Sequence, residues 1–213
     1  MPLETSLSWS IVIPVKVLAL AKSRLTGPAG PRRAELALAM AADTVAAAVA
    51  CPVVDSVIVV TDDDAAAAEL SGLGALVLPD EPGDGLNPAL VFGAAYSDEH
   101  WPGRGRAGMA ADLPALAATE LGRALARAGE VAEAFVPDAE GTGTTLYSAG
   151  PGAAFRPRFG LGSYRAHLAV GAVELALSGL DGLRRDVDTV SDLQDAARIG
   201  LGPRTLAAAD WIG

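Results

Sequence analysis

Trp9-Ser-Ile-Val-Ile-Pro-Val15 is a continuous apolar run rich in β-branched residues, and Lys16 follows it directly. A run of this kind, with no polar alternation, marks a strand buried on both faces, as in a parallel sheet covered by helices. The segments around it extend the pattern. Pro31 opens a helix that an alanine-rich stretch carries to Ala50, and Pro52 ends it. Ser56–Val60 is a second buried strand, after which Thr61-Asp-Asp-Asp64 caps a helix running to about Leu70. Ala75–Leu78 reads as a short strand, Pro79 to Gly85 as a turn-rich loop, and Asn87–Tyr96 as a helix. Strands are expected at Ala107–Ala111, Ala134–Val136 and Thr144–Ser148, and a helix at Thr119–Ala128. Tyr164–Leu177 fits either one helix or a helix followed by a strand at Val173–Leu177. Arg184–Thr189 is extended, and Ser191–Ile199 is a closing helix. Strands alternating with helices predict an α/β layered fold with a largely parallel sheet. Ligands of such sheets lie beyond the carboxyl ends of the strands, where Lys16, Asp62 and Asp112 fall.

The bulk properties restrict the function. The 213 residues suit a single domain over 1–213 with its core at about 9–202, and 51% hydrophobic residues are enough for a sizeable interior. A formal net charge of −10 speaks against nucleic acid as a partner, since a phosphate backbone needs a basic face. An anionic small molecule still fits where positive charge is local or a metal is bound. The one cysteine, Cys51, beside Pro52, suits a helix end rather than a disulfide framework. The N-terminus carries Glu4 and no basic leader, and the longest apolar stretch, Leu36 to Val54, is alanine-rich and contains Asp43. A secreted or membrane protein is therefore not expected, and the cytoplasm is. A homodimer is compatible with the sequence.

Four groups of residues are able to carry chemistry. The chain has only two lysines, Lys16 and Lys22, and they share a segment with Arg24 while every other basic residue is arginine. Compact ammonium charges at the end of a buried strand suit a triphosphate, and an ordinary solvated loop explains them equally well. Asp186-Val-Asp-Thr189 places two carboxylates on one side of an extended segment. With Asp112, behind a strand and fixed by Pro114, they form a hard-oxygen set for Mg²⁺, the competing explanation being capping of the helix that follows. Gly141-Thr-Gly-Thr144 is either an anion-binding turn or a simple hairpin. Phe159-Gly-Leu-Gly-Ser163, with His167 and nearby arginines, is either an N–H-rich helix entrance for an anion or a capped helix start. His167 has a structural and a catalytic reading, and His100 lies on the surface. Nucleophile elbows, zinc spacings and the P-loop lysine motif are all absent from the sequence.

Taken in order, Val15-Lys…Ala21-Lys-Ser-Arg-Leu25, Leu86-Asn-Pro-Ala-Leu90, Ala111-Asp-Leu-Pro-Ala-Leu116, Gly141-Thr-Gly-Thr144, Phe159-Gly…Ser163…His167 and Gly182-Leu-Arg-Arg-Asp-Val-Asp-Thr189 resemble the phosphoenolpyruvate/2-phospho-L-lactate guanylyltransferases of deazaflavin coenzyme F-420 biosynthesis. The resemblance runs over nearly the whole chain. It implies a nucleotidyltransferase-like, Rossmann-like three-layer fold. It also implies transfer of GMP from GTP to the phosphate of a small phosphorylated carboxylic acid, with release of pyrophosphate to solution and of the product to a downstream transferase. By the same resemblance Asp112, Asp186 and Asp188 hold Mg²⁺, Thr144, Gly160 and Ser163 contact the acid, with His167 grouped among the substrate-binding residues, and Lys16, Lys22 and Arg24 lie along the GTP phosphates. Thr61, Asp80 and Asn87 sit in loops at the expected rim of a guanine pocket, and turn formation or capping explains each of them equally well. The strand before Asp112 departs from the family, reading Gly105-Arg-Ala-Gly-Met-Ala-Ala111 in place of a strong aliphatic run.

An acceptor phosphate oxygen is already nucleophilic, so such a reaction rests on positioning and charge neutralisation rather than on a strong base. Phosphoenolpyruvate, 2-phospho-L-lactate and 3-phosphoglycerate are the candidate acceptors, and the alanine- and arginine-rich composition, similar to actinobacterial relatives, favours the first. Asp-Val-Asp also resembles the Asp-x-Asp signature of metal-dependent glycosyltransferases, and a non-catalytic nucleotide-binding domain is a third reading. The lysine-bearing segment argues for a triphosphate donor instead.

Overall fold

The computed structural model describes residues 7–16, 18, 32–80 and 82–210. In chain order the elements are β1 (Trp9–Pro14), α1 (Arg33–Val49), β2 (Val54–Val60), α2 (Asp64–Gly72), β3 (Leu76–Leu78), α3 (Leu86–His100), β4 (Gly105–Met109) and α4 (Ala118–Ala128). They continue with β5 (Glu133–Pro137), β6 (Thr144–Ala149), α5 (Ser163–Ala169), β7 (Val173–Glu174), α6 (Asp181–Arg184), α7 (Val190–Ile199) and α8 (Pro203–Ala208). The strands form one sheet in the order β3-β2-β1-β4-β6-β5-β7. Among the described residues only β6 runs against its neighbours, antiparallel to both β4 and β5, and the other pairings are parallel. The mixed, largely parallel sheet expected from the sequence is present.

Alternation along the strands divides the core. Ile11, Ile13, Val57 and Val59 pack on one face under α1, α2 and α4, through residues such as Val45, Leu70, Leu121 and Leu125. Val12, Ile58 and Val60 pack on the other under α3, through Ala89, Leu90 and Ala94. The result is three layers, with the strands buried on both sides as the unbroken apolar runs require. A satellite cluster of Leu36, Met40, Val187, Leu193 and Ala208 joins α1 to α7 and α8. Among the described residues no helix is long and apolar enough to cross a membrane.

The glycine-rich strand that departs from the aliphatic norm is central and fully buried. Its glycines are imposed by its neighbours. A Cβ on Gly105 would fall within the Trp9 indole, and one on Gly108 would lie 2.7 Å from Leu90 Cδ2. Large side chains from β1 and α3 occupy the space that aliphatic residues fill elsewhere.

One open choice is resolved and two expectations need correction. The segment after Ser163 follows the second of its two alternatives, a short helix and then β7, broken by Gly171 at φ 89°. Arg184 ends a helical turn, α6, and the extended stretch begins after it. Ser191–Ile199 does not close the chain, because α8 follows it with Pro203 in its first turn. That helix docks through Asp43, whose buried carboxylate accepts the amides of Arg204 and Thr205 at 3.2 and 2.7 Å.

Candidate active site

The sheet reverses its direction of growth between β1 and β4, the adjacent pair whose connections run to opposite sides. Such a switch point opens a crevice at the carboxyl ends of the strands. Here a cleft of about 750 Å³ occupies it, with Lys16 after β1 and Asp112 after β4 on its walls. The reversed strand β6 begins at the same edge, since Leu146 pairs with Met109 and Thr144 with Pro137. Thr144 and the preceding turn therefore face the crevice too.

Backbone bonds draw the acidic residues together. The Val187 amide donates to the Asp112 carbonyl at 3.1 Å and sets the Asp186–Asp188 segment beside the end of β4. Val187 is buried in the satellite core, while Asp186 and Asp188 line the cleft, the two-sided arrangement expected of this extended stretch. The cap of α7 is Thr189, which accepts the Asp192 amide, while Asp192 accepts the Thr189 amide at 2.8 Å. Capping thus does not account for Asp186. Its carboxyl is pushed up to about 7, first by burial and then by Asp112, Asp138 and Asp188.

Asp138 was not among the candidates from the sequence. Its two oxygens accept the amides of Thr142 and Gly143 at 2.8 and 2.7 Å, which shapes the Gly-Thr-Gly-Thr turn. A side chain on Gly143 would collide with that carboxylate, so glycine is required there. Carboxylate oxygens of Asp138, Glu140 and Asp186 lie within 4.8 Å of one another. Glu140 is exposed and paired with Arg185 at 2.7 Å. The available signal for Asp138 was its place between a strand ending in Pro137 and the glycine turn, which reads equally well as a turn-forming aspartate.

The opposite wall is built from the segment Phe159–Ser163. Gly160 and Gly162 have φ of 124° and 72°, and their turn is fixed to the β5–β6 turn by the Tyr164 amide, which donates to the Thr142 carbonyl at 3.3 Å. Asn87 anchors the same segment, donating to the Phe159 carbonyl at 3.0 Å and accepting its amide at 2.8 Å. Gly160, Ser163 and Thr144 line the cleft together. Behind Thr144 lies His167, fully buried, with Nδ1 3.0 Å from Thr144 Oγ1. The ring stacks on Tyr147 at 4.7 Å and on Phe135 at 5.6 Å. Burial, the largest influence, lowers its pKa to about 4.

The structure therefore brings Lys16, Asp112, Thr144, Gly160, Ser163, Asp186 and Asp188 to one cleft, with His167 directly behind it. Lys22 and Arg24 lie outside the described residues. Thr61, Asp80 and Asn87 are not among the residues lining it. Thr61 is buried and accepts the Asp63 amide, the Asp80 amide donates to Asp62, and Asn87 supports Phe159.

The fold, with its switch-point cleft, is nucleotidyltransferase-like. The chain superposes on a structure named as a nucleotide-diphospho-sugar transferase from Desulfovibrio desulfuricans G20 with a TM-score of 0.73 and 17% identity, covering 95% of this chain and 94% of that one. Residues 9–204 match the family described as Guanylyl transferase CofC like. A phosphoenolpyruvate guanylyltransferase from Thermomonospora curvata is 60% identical, covering 98% of this chain and 93% of the relative. Another from Streptomyces coelicolor is 53% identical, covering 95% and 96%. The chain belongs to the CofC-like guanylyl transferase family and is a guanylyltransferase.

Proposed function

We propose that this enzyme transfers GMP from GTP to the phosphate of phosphoenolpyruvate and releases pyrophosphate. The product would pass in the cytoplasm to a downstream transferase of coenzyme F-420 assembly. The observation that carries this reading is the charge layout of the cleft. Lys16, a cluster of carboxylates, and a wall of hydroxyls and glycine backbone meet at one switch point. The relatives' shared name supports phosphoenolpyruvate as the acceptor.

Among the described residues of the wall, Lys16 is the one cation, set against Asp112, Asp138, Asp186 and Asp188. A triphosphate cannot approach such a wall unless cations intervene. The donor set fits Mg²⁺, because these are hard oxygens, and burial together with their mutual repulsion raises the pKa of Asp186. Asp186, with Asp112 and Asp188, would hold the ion, which when bound would neutralise charge on the GTP phosphates and the departing pyrophosphate. Lys16, with Lys22 and Arg24, would lie along the phosphates. Thr144, Gly160 and Ser163 would orient the acceptor so that one phosphate oxygen attacks the α-phosphorus in line. An oxygen–phosphorus bond forms as the bond to the β-phosphate oxygen breaks. The chain's contribution is orientation and fixed charge, which suits a nucleophile that needs no base.

The test incubates the protein with GTP, Mg²⁺ and, separately, phosphoenolpyruvate, 2-phospho-L-lactate and 3-phosphoglycerate. Pyrophosphate release and the mass of the guanylylated product are followed, with and without the downstream transferase. Product with phosphoenolpyruvate alone is expected. Product with another acid instead, or with none, rejects the assignment.

A further inference from the structure

We propose that His167 is a positioning residue that makes Thr144 an obligate hydrogen-bond donor to the acceptor acid. The proposal rests on the assignment of Thr144 to the acceptor half of the cleft. It follows from tracing each proton through a chain of three contacts.

The Arg158 amide donates to His167 Nε2 at 2.9 Å. A backbone amide can only donate, so Nε2 carries no proton. A neutral ring then carries its proton on Nδ1. The ring is neutral at pH 7, since it is fully buried among Tyr147, Phe135 and Phe159 with its pKa lowered to about 4.

Nδ1–H therefore points at Thr144 Oγ1, 3.0 Å away, and the threonine oxygen is the acceptor. A hydroxyl that accepts still has its own proton to place. Among the described residues His167 is the partner of this oxygen, and the side chain lines the cleft. The hydroxyl proton is thus left for a ligand, and the ligand atom that meets it must be an acceptor. A carboxylate or phosphate oxygen fits, and a donor group does not. A free threonine rotor would offer a donor or an acceptor with equal ease, so the histidine removes one of two choices at no cost in reach.

Two measurements test this. In protein labelled with ¹⁵N-histidine and free of substrate, long-range proton–nitrogen spectra at pH 7 report the tautomer, with His100→Gln used to assign the second ring. The neutral Nδ1–H form is expected for His167, and the Nε2–H form or an imidazolium overturns the proposal. In kinetics, His167→Asn places an amide N–H near the Nδ1 position, whereas His167→Gln reaches toward Nε2. The KM for phosphoenolpyruvate should stay within about threefold of wild type in the first and rise about 10–100-fold in the second. The KM for GTP should be unchanged in both, and in a Thr144→Val background His167→Gln should add nothing. Equal losses in the two histidine variants, a matching rise for GTP, or additive effects with Thr144→Val would point to a merely structural histidine. If the wild type forms no product with any acid, the functional assignment fails, and the spectra still decide the hydrogen-bond polarity.

Discussion

Asp63 Oδ2 accepts the amide of Leu18 at 2.9 Å, while its Oδ1 caps α2 by accepting the amides of Ala65 and Ala66 at 3.1 and 3.0 Å. One carboxylate thus ties the segment after β1 to the start of a helix 45 residues on in the sequence. These bonds, the one from Leu18 foremost, hold its carboxyl below the ordinary range. In Asp63→Asn the amide has one oxygen, so whichever way it sits, one set of backbone donors faces an NH₂ group. With the oxygen on the helix side, stability should fall by less than about 1 kcal/mol, and the KM for GTP should rise about tenfold as Lys16 loses its support. Asp63→Ala loses the cap as well, about 1 kcal/mol more. Urea unfolding and GTP saturation curves separate the two effects, and an unchanged GTP KM in Asp63→Asn refutes the role of the tether.

Asp186 sets an alkaline limit to stability when no metal is bound. Its folded pKa of about 7 lies above the unfolded value of about 3.9, so the folded chain holds the proton more tightly. The stability linked to it is full below about pH 4 and is lost as pH rises through about 7. Mg²⁺ needs the carboxylate, so it should raise the melting temperature more at pH 8 than at pH 5.5. Asp186→Asn should abolish both the alkaline decline and the Mg²⁺ effect. His167 then dominates the profile of that variant. With its pKa lowered to about 4, its contribution is present above about pH 6.5 and lost as pH falls through about 4. Thermal melts from pH 4 to 8, with and without Mg²⁺, check both windows. A Mg²⁺ shift that survives in Asp186→Asn would place the ion elsewhere.

Gly108→Ala tests the packing of the central strand. Its Cβ would lie 2.7 Å from Leu90 Cδ2, and Leu90 is fully buried in the core between β1 and α3. The substitution should cost about 1–3 kcal/mol. Adding Leu90→Ala should cost less than the two single changes summed, because it vacates the contested space. Strict additivity of the unfolding free energies would show that the clash is relieved some other way.

Asp43→Ala should release α8. It leaves the amides of Arg204 and Thr205 without their acceptor, at a cost of about 1–3 kcal/mol. Hydrogen exchange over Pro203–Ala208 should quicken far more than over β1, while the KM for both substrates holds, since Asp43 does not line the cleft. Uniform quickening along the chain would mean that the latch serves the whole fold.

The parallel half of the sheet was legible because buried parallel strands are written as unbroken β-branched runs, as in Trp9–Val15 and Ser56–Val60. Asp63 capped its helix as the Thr-Asp-Asp-Asp stretch foretold. The central strand β4 was only weakly visible, since its identity as a strand resides in Trp9 and Leu90, which fill the space above its glycines. The short elements α6, β7 and α8 carry too few residues for a period to emerge, and each is held by distant groups such as Asp43. In the site, the cleft gathered Lys16 and Asp112 from strand ends and the Asp186–Asp188 pair from the extended stretch before α7. Asp138 escaped because its partners are backbone amides, which leave no mark in the identity of neighbouring side chains. The supporting role of Asn87 was equally hidden, because Phe159 lies 72 residues away.

The reversal of β6 has a consequence for how the enzyme can vary. Strands β1, β2, β3 and β4 reach the carboxyl edge and each departs through a helix to the next strand, so a change of length there disturbs a helix as well. Residues 138–143 reach the same edge and return at once as a hairpin. On the proposed function, the part of the acceptor side that carries Thr144 is consequently a short local module inserted among long-range connections. Descendants of such a chain can lengthen, shorten or retune that turn for a new acid while the triphosphate half is inherited intact.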